Sequence, residues 1–232
     1  MATPTAVVRS GLMLVGAVLA GCSVLTGGDP LPADTDGPRP VRASALRDAL
    51  LDSSEINDIM GTSGMTIRDT RLRLFDGSLQ FTDRACMAAW TPAEQTVYAH
   101  TGSTAVVAQT LSETPGRSSH FVVQAAVDFP SRADAAAFFA NTAQKWTLCG
   151  NQTFVTKRGG GDASASWTFD SVSKADSTLW MTQRQENGSG WSCQRALRVS
   201  NNIAIDALAC KFYAADEAVT IVHGIDARLP SV

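Results

Sequence analysis

The chain has 232 residues, 44% of them hydrophobic and 18% charged, a composition that fits one ordinary globular domain or at most two small ones. Nineteen Lys+Arg against 22 Asp+Glu leave a formal charge of -3, so no basic excess exists to hold a phosphate backbone and nucleic acid is excluded as a partner. No apolar run reaches the roughly 20 residues of a membrane span, which excludes a polytopic membrane protein, and the hydrophobic content excludes a disordered chain.

Residues 1–21 read as a lipoprotein signal peptide. Arg9 supplies the charge of an n-region, and Gly11 to Ala20 (GLMLVGAVLA) is an apolar h-region too short to cross a bilayer. It ends in Leu19-Ala20-Gly21-Cys22, which resembles the lipobox of bacterial lipoproteins. Small residues there fit a narrow peptidase pocket, and the Cys22 thiol can become a thioether to diacylglycerol. A palmitate on the new amino terminus would strengthen the hold, since one short chain anchors weakly. Residues 22–40 are then the lipidated cysteine and a flexible tether, rich in glycine and proline from Gly27 to Pro40. As a coil this tether reaches roughly 20 to 25 Å. The expected location is the extracytoplasmic face of a cell membrane, with the membrane as partner through Cys22.

Residues 41–232 carry the fold. Ala43 to Gly61 has helical spacing, with Leu46, Leu50, Ile56 and Ile59 facing inward and Gly61 as a stop. Met65 to Phe75 reads as extended, and Asp76-Gly77 as a tight turn. Thr91-Pro92-Ala93-Glu94 has the form of a helix start, with threonine as cap, proline first and glutamate third. Ser103 to Leu111 and Ser119 to Phe129 read as strands. In the second, Phe121, Val123, Ala125, Val127 and Phe129 share one face, opposite His120, Gln124 and Asp128. Ser131 caps a helix to Leu148 with Phe139, Ala143 and Trp146 on one stripe. Strands follow at Phe154-Val155, Ser166 to Ser171 and Leu179 to Gln185, separated by turn-rich stretches at Arg158 to Asp162 and Glu186 to Gly190. A last helix from about Ala214 to Leu229 buries Val219, Val222 and Ile225 or their neighbours. The fold class is α+β, a twisted antiparallel sheet packed by three to four helices and closed by two disulfides.

With Cys22 assigned to lipid, Cys86, Cys149, Cys193 and Cys210 remain, an even set in an exported protein. Cys193 to Phe212 alternates on both sides of Asn201-Asn202, and asparagine tolerates the positive φ of a two-residue hairpin loop. Ser200 then faces Ile203 and Cys193 faces Cys210, at a non-hydrogen-bonded pair where Cα atoms approach to about 4.5 Å. Cys86 and Cys149 pair by elimination. A metal site built from these thiols lacks any CxxC or Cys-His spacing.

Several motifs together resemble the PknH-like extracellular domain family, the external sensor of certain membrane serine/threonine kinases that also stands alone in lipoproteins. They are Leu50-Leu51 with Ile56-Asn57-Asp58-Ile59-Met60-Gly61, Cys86 with Ala89 through Tyr98, Phe121 through Ala125, Phe138-Phe139, and Trp146 with Cys149. The most specific piece is Cys193-Gln194-Arg195-Ala196-Leu197 with Asn202 through Cys210. The resemblance implies a twisted antiparallel sheet with packed helices, disulfides joining first to second and third to fourth cysteine, and a polar ligand-binding cleft. Unlike the kinases, this chain has no phosphate-cradling glycine loop and no catalytic-loop motif; Phe75-Asp76-Gly77 is not a kinase Asp-Phe-Gly.

No catalytic residue is assigned. Gly61-Thr62-Ser63-Gly64 has the wrong spacing for a nucleophile elbow, and Ser119 and His120 point to opposite faces of a strand. His100, His120 and His223 have no metal-binding spacing, and neither metal nor cofactor is expected. Arg195 and Asp206 lie diagonally on one hairpin face, within reach of an ion pair; they are the candidate ligand-binding residues. Among Trp90, Trp146, Trp167, Trp180 and Trp191, Trp146 reads as core, and Trp180 and Trp191 as rim residues able to stack a sugar. The leading expectation is a lipid-anchored, non-catalytic ligand-binding or sensor module for a small molecule or envelope ligand. An envelope hydrolase and an adhesion or scaffold lipoprotein are the alternatives.

Overall fold

A computed structural model describes residues 40–77, 84–114, 119–157 and 164–230. The signal peptide, Cys22 and all of the tether before Pro40 lie outside these residues, as do Ser118 and the turn-rich Arg158 to Asp162. The expected Asp76-Gly77 turn runs into residues outside the described ones.

Two short helices open the domain, α1 (Leu46–Ala49) and α2 (Ser53–Met60). The sequence pattern suggests one continuous helix. Leu50 instead turns extended, with ψ 146°, and Asp52 starts a new helix by accepting from the Ser54 and Glu55 N–H groups while Glu55 reaches back to the Asp52 N–H. Such a capping box satisfies donors a continuous helix would have paired differently. Gly61 ends α2 in the left-handed conformation that glycine adopts freely. Strand β1 (Thr66–Arg71) follows, and then two single-turn helices, α3 (Met87–Trp90) and α4 (Gln95–Tyr98).

The remaining elements are β2 (Ala105–Ser112), β3 (His120–Asp128), α5 (Arg132–Cys149), β4 (Thr153–Lys157), β5 (Ser164–Phe169), β6 (Ser173–Ala175), β7 (Thr178–Gln185), β8 (Trp191–Ser200), β9 (Ile203–Phe212) and α6 (Glu217–Asp226). Strand β6 carries no signal in the sequence; it is a three-residue return onto β7. Ser131 caps α5 by accepting the Asp134 N–H at 3.2 Å. Helix α6 is shorter at both ends than expected and buries Ala218, Ile221, Val222 and Ile225, leaving Val219 half-buried.

The strands form one antiparallel sheet in the order β1-β2-β3-β9-β8-β7-β5-β4, with β6 on β7. Both faces of its centre are covered, so the Gln124 and Asp128 side of β3 is enclosed like the other. Helices α1, α2 and α6 cover one face over Val122, Ala126, Ala207, Ala209, Ile203 and Ile205. Helices α3, α4 and α5 cover part of the other over Ala125, Val127, Leu179, Met181 and Leu197, with Trp146 and Tyr98 among the bulkiest fillers. Trp146 Nε1 donates to the Ala88 carbonyl at 2.9 Å, and the Cys86–Cys149 disulfide ties the start of α3 to the end of α5.

The β8–β9 hairpin has the expected register. Ser200 faces Ile203, Cys193 faces Cys210, and those cysteines are bonded with Cα atoms 3.9 Å apart. Asn201 takes φ 51°. Asn202 turns inward as a clamp. Its amide accepts the Val41 N–H at 2.6 Å and donates to the Val41 carbonyl, the Phe129 carbonyl and Asp128 Oδ1. The first described residues are thus fastened to the tip of the hairpin.

Candidate functional site: an aromatic cleft over the hairpin disulfide

The helix layer formed by α3, α4 and α5 stops short of one end of the sheet. There Phe121, Val123, Leu208 and the Cys193–Cys210 disulfide form an apolar floor. Over it lies a cleft of about 470 Å³, within the size range of small-molecule sites. Its walls are Trp90 from the end of α3, Trp167 from β5, Trp191 from the start of β8, Arg71 at the end of β1 and Phe75 to Gly77 beyond it. Trp90 meets Trp167 edge-on at 5.3 Å and stacks on Phe169 at 6.1 Å; Trp191 meets Phe212 edge-on at 5.4 Å. Of the two tryptophans expected at a rim, Trp191 is there. Trp180 sits on the opposite face, half-buried against the α6 side, because β7 pairs with β8 in a register that sends Gln183 and not Trp180 toward the disulfide.

The segment carrying Trp90, Thr91 and Glu94 is held by polar contacts. The expected helix start there does not form: Ala93 takes φ 51°, and Glu94 precedes α4 as its N-cap position in place of N3. Phe75 N–H donates to the Ala93 carbonyl at 2.9 Å and Gln95 N–H to the Phe75 carbonyl at 2.8 Å. Glu94 accepts the Gly77 N–H at 2.9 Å and is 2% exposed. Burial pushes its pKa up, helped by Asp76 and Asp206 and opposed by the Gly77 N–H and Arg195. A β-carbon on Gly77 would lie 2.7 Å from the Glu94 carboxylate, so the close approach depends on glycine.

Gln183 on β7 is fully buried at the foot of the cleft. Its Nε2 donates to the Ala89 and Trp90 carbonyls, each at 2.7 Å. That pair of bonds fixes the amide orientation, since a flipped amide would set oxygen against two carbonyls. Its Oε1 has no hydrogen-bond partner among the described residues.

Arg195 and Asp206 form the expected ion pair, 2% and 1% exposed, one layer beneath the cleft. Asp206 also accepts the Ala93 N–H at 2.8 Å and the Tyr98 hydroxyl at 2.9 Å. Arg195 donates to the Ala196, Ala207 and Thr91 carbonyls and lies over the Trp146 ring. Neither lines the cleft; the pair hangs the Thr91–Glu94 segment from the sheet. Burial, with Asp206 beside it, pushes the Tyr98 hydroxyl pKa well up. Of the histidines, His120 pairs with Glu113 at 2.8 Å, while His100 and His223 are exposed. No group of three metal-capable side chains converges among the described residues.

Sequence reasoning misses Trp90, Trp167, Glu94 and Gln183. Only strand order brings β5 and β7 beside the hairpin, and no local spacing encodes it.

Comparison with known proteins gives a consistent result. The PknH-like extracellular domain family matches residues 41–228. The serine/threonine-protein kinase PknH of Mycobacterium bovis is 33% identical over 195 residues, 84% of this chain and 32% of the kinase. The PknH of Mycobacterium tuberculosis is 34% identical, over 84% of this chain and 31% of the kinase. The chain thus spans about a third of the length of the kinases it matches. The crystal structure of the extracellular domain of PknH from Mycobacterium tuberculosis superposes with a TM-score of 0.79 at 32% identity, covering 83% of this chain and 98% of that one. The sequence resemblance and the α+β architecture are therefore both found, and the chain belongs to the PknH-like extracellular domain family.

Proposed function

We propose that this protein is a lipid-anchored, extracytoplasmic sensor-type module that binds a small molecule in the aromatic cleft and performs no chemistry on it. Membership in a family of extracellular domains supports the location, and Cys22 within its lipobox-like sequence supports the anchor. The observation that carries the binding reading is the cleft itself. Three tryptophans and a buried carboxylate surround an apolar floor, and one fixed amide oxygen is left to be paired. Concave apolar sites with a few convergent polar groups are the usual form of a small-molecule site.

Hydrolysis needs a nucleophile hydrogen-bonded to a base. Among the described residues lining the cleft, no such pair occurs. The test is native mass spectrometry of the full-length protein taken in detergent from its own envelope. The expected spectrum shows a small-molecule adduct that is lost on unfolding and absent from Trp191→Ala. A bare protein mass from fully envelope-exposed material would overturn the binding reading.

A further inference from the structure

The polar groups of the cleft are unequal in kind. Among the described residues its lining carries two carboxylates, Asp76 and Glu94, and one guanidinium, Arg71. Arg71 is already engaged, paired with Asp69 and placed 4.9 Å over the Phe75 ring. The Gly77 N–H is taken by Glu94. Gln183 turns its donors away into two carbonyls and leaves only an acceptor. Among the described residues the cleft is therefore net acidic, and its side-chain donors besides Arg71 are neutral, the indole N–H groups of the tryptophans and the Thr91 and Thr110 hydroxyls. A neutral sugar gains no net Coulombic attraction from such a site.

A cation bearing N–H groups needs acceptors alone, and aromatic faces add to its binding. Indole is the best such face, and Trp90, Trp167 and Trp191 all line the cleft. We propose that the cleft selects a small organic cation, an alkylammonium group held against the tryptophans with its N–H donors directed to Glu94 and to the Gln183 amide oxygen. This rests on the cleft being a binding site, and it adds the charge and donor character of what enters. Glu94 is then the residue that sets specificity for charge. The apolar floor over the Cys193–Cys210 disulfide accommodates the alkyl part.

The experiment is a calorimetric and tryptophan-fluorescence titration of the detergent-solubilised full-length protein with three probes: 1,4-diaminobutane, 1,4-butanediol and methyl glucoside. Diaminobutane is expected to bind saturably and to perturb tryptophan emission, with butanediol at least about tenfold weaker. Glu94→Gln is expected to weaken the diamine about tenfold while leaving butanediol unchanged. Trp191→Ala, at the rim, is expected to weaken the diamine too. Trp180→Phe, on the opposite face, should leave it unaltered. Thermal melts of each variant separate lost binding from lost folding.

Butanediol or methyl glucoside binding as tightly as the diamine overturns the cation assignment while the cleft remains a binding site. The absence of any saturable diamine response also overturns it. The co-purification result then decides independently whether the binding reading stands.

Discussion

A carboxylate enclosed by tryptophans at the edge of an apolar floor costs folding free energy, and Glu94 shows this cost in its proton affinity. Burial raises its pKa above the ordinary glutamate value, with Asp76 and Asp206 adding to the rise and the Gly77 N–H and Arg195 opposing it. An acid whose pKa is higher when folded binds protons more tightly in the native state. Its contribution to stability is full below the unfolded value and is lost as pH rises through the folded value. Glu94→Gln keeps an oxygen to accept the Gly77 N–H and removes the titration. The variant should match the parent melting temperature at about pH 4 and exceed it increasingly toward neutral pH, as followed by circular dichroism. A difference that shrinks with rising pH would sink the assignment. The same substitution is expected to weaken diamine binding, so stability and recognition oppose each other at this position. Arg195 and Asp206 differ, since their opposite charges are paired and both grip the Thr91–Glu94 segment. Removing one partner of such a buried pair costs about 3–5 kcal/mol because the remaining charge is stranded.

The two disulfides close loops of different length, with sequence separations of 63 for Cys86–Cys149 and 17 for Cys193–Cys210. In the chain-entropy description the longer loop contributes about 4 kcal/mol and the shorter about 3 kcal/mol. Replacing Cys86 and Cys149 with alanine should therefore lower the denaturation midpoint more than replacing Cys193 and Cys210. Equal or inverted losses in a urea titration would contradict that order. The hairpin was legible in the sequence because period-two alternation and the Asn201-Asn202 loop are short-range signals that determine every facing pair. Helix α5 was legible too, through Ser131 and its apolar stripe. The break between α1 and α2 was concealed because the run Ala49-Leu50-Leu51 contains neither proline nor glycine, although Asp52 and Glu55 have capping-box spacing. The cleft was not legible. Trp90, Trp167 and Gln183 come from separate elements and meet only through the sheet order, and an amide oxygen left without a partner has no sequence signature. Trp180 falls on the other face because closeness to a turn says nothing about which side a strand residue takes.

The sheet is covered along one face and only partly along the other, and this asymmetry creates the cleft. The proposed lipid anchor is tested on the whole chain. Cys22→Ser removes the only thiol in the lipobox-like sequence, so the variant is expected in the soluble fraction after membrane sedimentation, folded and with both disulfides formed. Continued sedimentation with lipid would refute the anchor. Asn202 holds Val41 at the turn of the β8–β9 hairpin, whereas the cleft floor occupies its opposite end. From Ser200 back to Cys193 the strand runs roughly 23 Å at about 3.3 Å per residue. A load applied through the proposed tether would therefore meet the domain at a mooring point remote from the cleft.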